Sequence, residues 1–265
     1  MAAPSKTLNG RRTGGQMVKK KSKISRAVKT PPFETDELRK ALKQFYETPY
    51  TDPSTGITRS IGSYKWGVYL FYDYDGEPIY VGQTAEKISG RIGRHLTNQR
   101  SDAIAMSVLD PFEVAEIEVY PLPEFEAVNS KSSNYKQAKA HLDALEYAVH
   151  EKAIAHSKFK AILNEKDPRK PKRPVSLPLY LRGSIVSDRV RELRAHSDVR
   201  LARRALIIWK LAQTISERQV QNGLRRTLIT QAVRLRTLAE RRFIELGGES
   251  TVEIGAESEG EEGPS

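Results

Sequence analysis

The chain contains no cysteine. That absence removes disulfides, thiolate zinc sites and cysteine nucleophiles together, and it fits a cytoplasmic protein. No apolar run is long enough to span a bilayer and the N-terminus shows no signal-peptide pattern. A soluble protein with no membrane partner is therefore expected. Acidic residues are missing from the first 32 positions, which hold nine Lys or Arg. Basic residues are missing from Glu249 onward, where six glutamates lie. Neither segment has enough large apolar side chains to offset its ordering entropy. Residues 1–32 are thus expected to be a disordered basic arm and 247–265 a disordered acidic tail.

What is abundant is positive charge. The 265 residues carry a formal net charge of +11, which favours a polyanionic partner, above all nucleic acid. Between Arg182 and Arg242 there are fourteen arginines and one lysine against five acids. Arginine in place of lysine suits forked recognition of phosphates or guanine edges. Arg203, Arg204, Arg225 and Arg226 are the DNA-contact candidates of this region. It reads as helical from Ser187 to about Leu246, with apolar stripes at Ala205, Ile208, Ala212 and Ile215 and at Val220, Leu224, Leu228, Leu235 and Leu238. Such stripes need a covering surface, either the rest of the chain or a second copy. A soluble bundle with charged outer faces is the plainer alternative.

The first two-thirds of the chain alternates helix and strand signals. Leu38, Leu42 and Phe45 share one helical face, with Thr35 as a possible cap, and Pro49 and residues 51–56 end that helix. Trp66 to Tyr72 predicts a strand, Asp75-Gly76 a tight hairpin turn, and Ile79 to Gly82 the returning strand. Ala85 to Leu96 predicts a helix, Phe112 to Tyr120 a third strand, and Asn134 with Gln137 a capping box. The helix so capped carries Ala138, Leu142, Leu145, Val149 and Ala153 on one face. Residues 158–163 fit either a strand or a helix. Residues 168–181 form a Pro- and Lys-rich connector. The domain plan is a core at 33–167, that connector, and the arginine-rich helical region at 182–246. The fold class is α+β, a small mostly antiparallel sheet flanked by helices with a helical C-terminal addition.

With the turn centred on Asp75-Gly76, Tyr69 faces Gly82, Phe71 faces Tyr80, Tyr72 faces Ile79, and Tyr69 and Tyr80 become diagonal neighbours on one face. A strand glycine often marks the close approach of a ligand or another backbone. Two phenols beside a vacant spot are either a packed aromatic pair or the floor of a site. Downstream, Arg91 and His95 share a helical face at i, i+4, while Arg94 points elsewhere, toward a more distant phosphate.

The ordered set Gly67-Val68-Tyr69, Tyr80-Val81-Gly82, Arg91 and His95, followed by a glutamate on a later helix and an asparagine after it, resembles the GIY-YIG nuclease superfamily. The resemblance covers roughly Tyr64 to Asn164. Residues 101–120 resemble its type II restriction endonuclease branch more loosely. The resemblance implies hydrolysis of double-stranded DNA with one divalent metal ion, Mg²⁺ with Mn²⁺ able to substitute, and no small-molecule cofactor. It implies Tyr69 as general base or water-orienting phenol, Tyr80 on the scissile phosphate or water, and Arg91 clamping phosphate oxygens. An unperturbed tyrosine titrates near pH 10. The lysine that some restriction members carry before the second triplet is replaced by Ile79, so His95 is the proposed proton relay. Glu146, near the edge of its helix's apolar face, is the implied metal ligand, with a helix-face salt bridge as its plainer role. Asn164 matches the late asparagine. His141, Asp143 and His150 lie on or near the same helix but lack a matched zinc spacing. A restriction-modification enzyme acting on a palindrome would work as a homodimer. A homing or repair nicking nuclease, and a non-catalytic DNA-binding protein, are the competing readings.

Overall fold

The computed structural model describes residues 33–97, 108–220 and 222–249. The expectations for the basic arm, for most of the acidic tail and for the first part of residues 101–120 lie outside the described residues. The fold is α+β, with two small antiparallel sheets and six α-helices among the described residues. None of these helices is long and apolar enough to cross a membrane.

Helix α1 (Phe33–Glu47) buries Leu38, Leu42 and Phe45, the face read from their spacing. It begins before Thr35, which is therefore an interior residue and not a cap. Residues 49–60 do more than end the helix. Strands β1 (Pro49–Thr51) and β2 (Thr58–Ser60) pair antiparallel. Their loop is tied by Asp52, whose carboxylate accepts from Ser54 N and from the Ser54 and Thr55 hydroxyls.

The main sheet contains β3 (Trp66–Tyr72), β4 (Pro78–Ala85), β5 (Glu116–Pro121) and β6 (Leu181–Ser184), in the order β4-β3-β5-β6. The hairpin forms as the turn residues dictate. Gly76 adopts φ +69, which a side chain would resist, and Asp73 Oδ1 accepts from the backbone N–H groups of Asp75 and Glu77. Tyr69 pairs with Gly82 and Phe71 with Tyr80, as expected. Tyr72 pairs with Pro78 instead of Ile79, because the register shifts after Phe71. The fourth strand, β6, lies just after the Pro-rich connector, at a place the helical reading of the arginine-rich region did not anticipate.

Two cores sandwich the sheet. On one face, Trp66, Val68, Leu70 and Val81 pack with Leu142, Leu145 and Val149 of α3 (Tyr135–His156). Asn134 occupies the capping position of α3, but its backbone at φ −89, ψ 6 is outside the extended region a capping residue uses, and its side chain makes no cap hydrogen bond. On the other face, Tyr69, Phe71 and Ile79 pack with α1, with Ile88, Ile92 and Leu96 of α2 (Ile88–Leu96), and with Leu211 and Leu224. The last two come from α5 (Ser197–Glu217) and α6 (Asn222–Glu245), which follow the short α4 (Asp188–Arg194).

Helices α5 and α6 dock through charge. Asp73 in the hairpin turn is 2% exposed and accepts from Arg200, Arg204 and Arg234 at 3.2, 3.1 and 2.7 Å. Glu113 takes two further bonds from Arg204, and Asp75 takes one from Arg200 and two from Arg241. Buried guanidinium groups survive only when paired in this way.

Candidate active site

The β3–β4 ladder sets Tyr69 directly across from Gly82. A Cβ on Gly82 would meet the Tyr69 ring carbon Cζ at 2.5 Å, so the phenol lies over the glycine. Two residues along β3, Phe71 stacks on Tyr80 with centroids 5.8 Å apart. Strand alternation thus gathers Tyr69, Phe71 and Tyr80 on the α2 face. Helix α2 closes over them. His95 is buried, with its ring 5.7 Å from Tyr69, 5.4 Å from Tyr80 and 6.2 Å from Phe71.

One turn earlier on α2 is Arg91. Burial acts against its charge, but the electrostatic influence of the adjacent Tyr69 phenol, with Tyr80 and Glu86, outweighs burial and raises its pKa above the ordinary guanidinium value. Arg91 is therefore a fixed cation beside both phenols. Arg94, on the next face of the helix, pairs with Glu86.

Glu146 approaches from α3, on the other side of the sheet. Because β4 is an edge strand, a side chain at that rim stays within reach of the α2 face. Burial raises the Glu146 pKa, while Gln83, Lys139 and the Arg91 charge act in the opposite direction. Gln83 Nε2 donates to Glu146 Oε2 at 2.7 Å and to Asp143 Oδ1 at 2.9 Å, and Lys139 Nζ holds Gln83 Oε1 and Asp143 Oδ1, each at 2.8 Å. Gln83 and Lys139 were not anticipated from the sequence. The available signal was position: Gln83 directly follows the second triplet and shares a strand face with Val81.

No group of three or more His, Asp or Glu side chains is assembled for a metal among the described residues. A single half-buried carboxylate with oxygen-bearing neighbours still fits Mg²⁺, which binds hard oxygen and keeps several waters. His150 lies against Asp167 and Glu151, and His141 against Glu124.

Asn164 touches the triplet through its backbone. Its Oδ1 accepts from Val81 N at 3.0 Å and its Nδ2 donates to Val81 O at 2.8 Å. Leu163 N donates to Ile79 O beside it, so residues 158–163 are a turn and a cover for the β4 edge, neither helix nor strand.

The DNA-contact candidates fall in different settings. Arg225 is exposed on α6. Arg203 makes a bidentate pair with Asp110 at 2.6 and 2.9 Å, and Arg226 one with Asp167 at 2.9 and 2.7 Å. Arg204 requires a correction. It is 4% exposed and its donors are engaged by Asp73, Glu113 and the Arg234 carbonyl, so it serves the interior of the fold and not an external phosphate.

Residues 65–149 match the family model of the GIY-YIG catalytic domain. The match includes Tyr69, Tyr80, Arg91, His95 and Glu146 and supports the GIY-YIG superfamily, and with it endonuclease chemistry, for a segment covering less than half the chain. No curated protein and no solved structure matches the chain.

Proposed function

We propose that the chain is a divalent-metal-dependent endonuclease of the restriction type that hydrolyses double-stranded DNA. One observation carries the reading: two phenols and a buried imidazole pack together beneath the helix that carries Arg91, and a half-buried carboxylate, Glu146, is held by Gln83 at the adjoining sheet edge. Phosphodiester hydrolysis needs a positioned water, a clamp for the pentavalent phosphate and a route for the water's proton. Tyr69, with its hydroxyl over Gly82, orients and deprotonates the water, and His95 in contact with both phenol rings takes the proton onward. Arg91 binds the non-bridging oxygens and Tyr80 positions the phosphate. The water oxygen bonds to phosphorus as the bond to the 3′ oxygen breaks, and the departing 3′ oxygen takes a proton from solvent, leaving 5′-phosphate and 3′-hydroxyl ends. Glu146 would hold Mg²⁺, which when bound supplies positive charge to the leaving oxygen.

The test is plasmid digestion in Mg²⁺ against EDTA, with Glu146→Gln beside the wild type. Linear product from wild type alone, and only with metal, supports the reading. Accumulation of nicked circles favours a nicking nuclease, and binding without any cutting favours a binding module. The homodimer is part of the same proposal. It is supported by the outward side of α5 and α6, where Leu206, Trp209, Ile229 and Phe243 are all exposed while Arg200, Arg204 and Arg234 face inward. Light scattering on the wild type and Trp209→Glu, with and without DNA, tests it.

A further inference from the structure

Residues 166–173, which run into the start of the connector, read Lys-Asp-Pro-Arg-Lys-Pro-Lys-Arg. Their backbone forms neither helix nor strand, and Lys166, Arg169, Lys170, Lys172 and Arg173 are all exposed. Pro168, Pro171 and Pro174 recur every third residue. They limit the conformations available to the segment and lower the entropy lost when it meets a partner.

Its start is tied to the second triplet by Asn164 and lies near α3 at Asp167. Asn164 is bonded through both side-chain atoms to the backbone of Val81, the middle residue of the second triplet. Asp167, the segment's one acid, lies 3.5 Å from His150 Nε2. His150 follows Glu146 by four residues on α3, about one helical turn, roughly 6 Å along the axis, from the candidate metal ligand. Arg226 neutralises Asp167 with a bidentate pair. At the far end, Val175 packs on the α3-side core and the Leu179 carbonyl accepts from the Tyr50 hydroxyl. Between these ties, five cations face solvent, against the half-buried Glu165 and an Asp167 already held by Arg226.

We propose that residues 166–173 form a cationic strap that binds the phosphate backbone of duplex DNA alongside the scissile bond. This rests on the nuclease reading for the identity of the polyanion. Lysines and arginines on an extended segment meet phosphates as charges without reading bases, so the strap contributes affinity and placement but no sequence preference.

The experiment measures binding of full-length protein to a fluorescein-labelled DNA duplex in EDTA, where nothing is cut, across a salt series. One variant carries glutamine at Lys166, Arg169, Lys170, Lys172 and Arg173. A control carries glutamine at Arg39, Lys40 and Lys43, exposed on α1. Each phosphate contact contributes about 0.9 to the slope of log K against log salt. The strap variant is expected to lose about 3 or more from that slope, and the control less than about 1. An unchanged slope in the strap variant, an equal loss in the control, or no binding by the wild type overturns the proposal. A wild type that binds through the strap but never cuts in Mg²⁺ supports the strap and refutes the nuclease reading.

Discussion

Gly82 stands opposite Tyr69 in the β3–β4 ladder, and the phenol occupies the space a Cβ would take. Gly82→Ala must therefore push the Tyr69 hydroxyl off its position. Displacement of about 1 Å at a reacting group costs on the order of 100-fold in rate, while overpacking costs about 1–3 kcal/mol of stability. The expected result is a folded protein whose kcat falls about 100-fold with DNA affinity in EDTA unchanged.

Under the proposed function, Asn164 positions the second triplet through the Val81 backbone. Alanine there leaves the Val81 N–H and C=O without their side-chain partner at a covered strand edge. An unsatisfied buried polar group costs about 1–3 kcal/mol. Urea unfolding of Asn164→Ala is expected to show a loss of that order. Its cleavage rate should also fall, whereas a purely structural role would leave kcat intact well below the unfolding midpoint.

Asp73 holds three guanidinium groups, two of them from α5 and one from α6. Removing one partner of a buried ion pair costs about 3–5 kcal/mol, because the other charge is stranded. Asp73→Ala is expected to reach that range in chemical denaturation, more than any single exposed arginine in the C-terminal helices.

The Asp75 carboxyl carries a pH signature. Burial favours its neutral form, but the hydrogen bond and charge of Arg200, with Arg241 and Arg204, outweigh burial and lower its pKa from 3.8 to about 2. A carboxyl depressed by folding stabilises the native state above its unfolded pKa, and that stability is lost as pH falls from about 4 to about 2. Asp75→Asn is expected to cost about 1–2 kcal/mol at neutral pH, discounted for the residue's partial exposure, and to lose that effect near pH 2. Equilibrium unfolding at both pH values checks it, and a cost independent of pH would contradict the ion pairing.

The hairpin, its register through Tyr69 and Gly82, and the buried faces of α1 and α3 were legible because each rests on neighbours close in sequence. Asp75-Gly76 sets the turn, and period-2 and period-3.6 patterns choose the faces. The slip at Tyr72 was not legible, since nothing local marks where the register shifts. Nor was the fourth strand, as Leu181–Ser184 is short and its pairing partner, β5, lies some sixty residues earlier.

The sequence by itself determined the chemistry available: two phenols at fixed strand positions, a guanidinium and an imidazole one helical turn apart, a late carboxylate, and no thiol. Only the tertiary structure decided how those groups and the arginines are used. Arginine on a helix looks the same in sequence whether it meets solvent, a phosphate or a carboxylate of its own chain. The choice for Arg200, Arg204 and Arg234 came from Asp73 and Glu113, whose burial demands compensating charge. The cationic run after Asn164 acquired its position in the same way, through hydrogen bonds that tie it to the β4 edge.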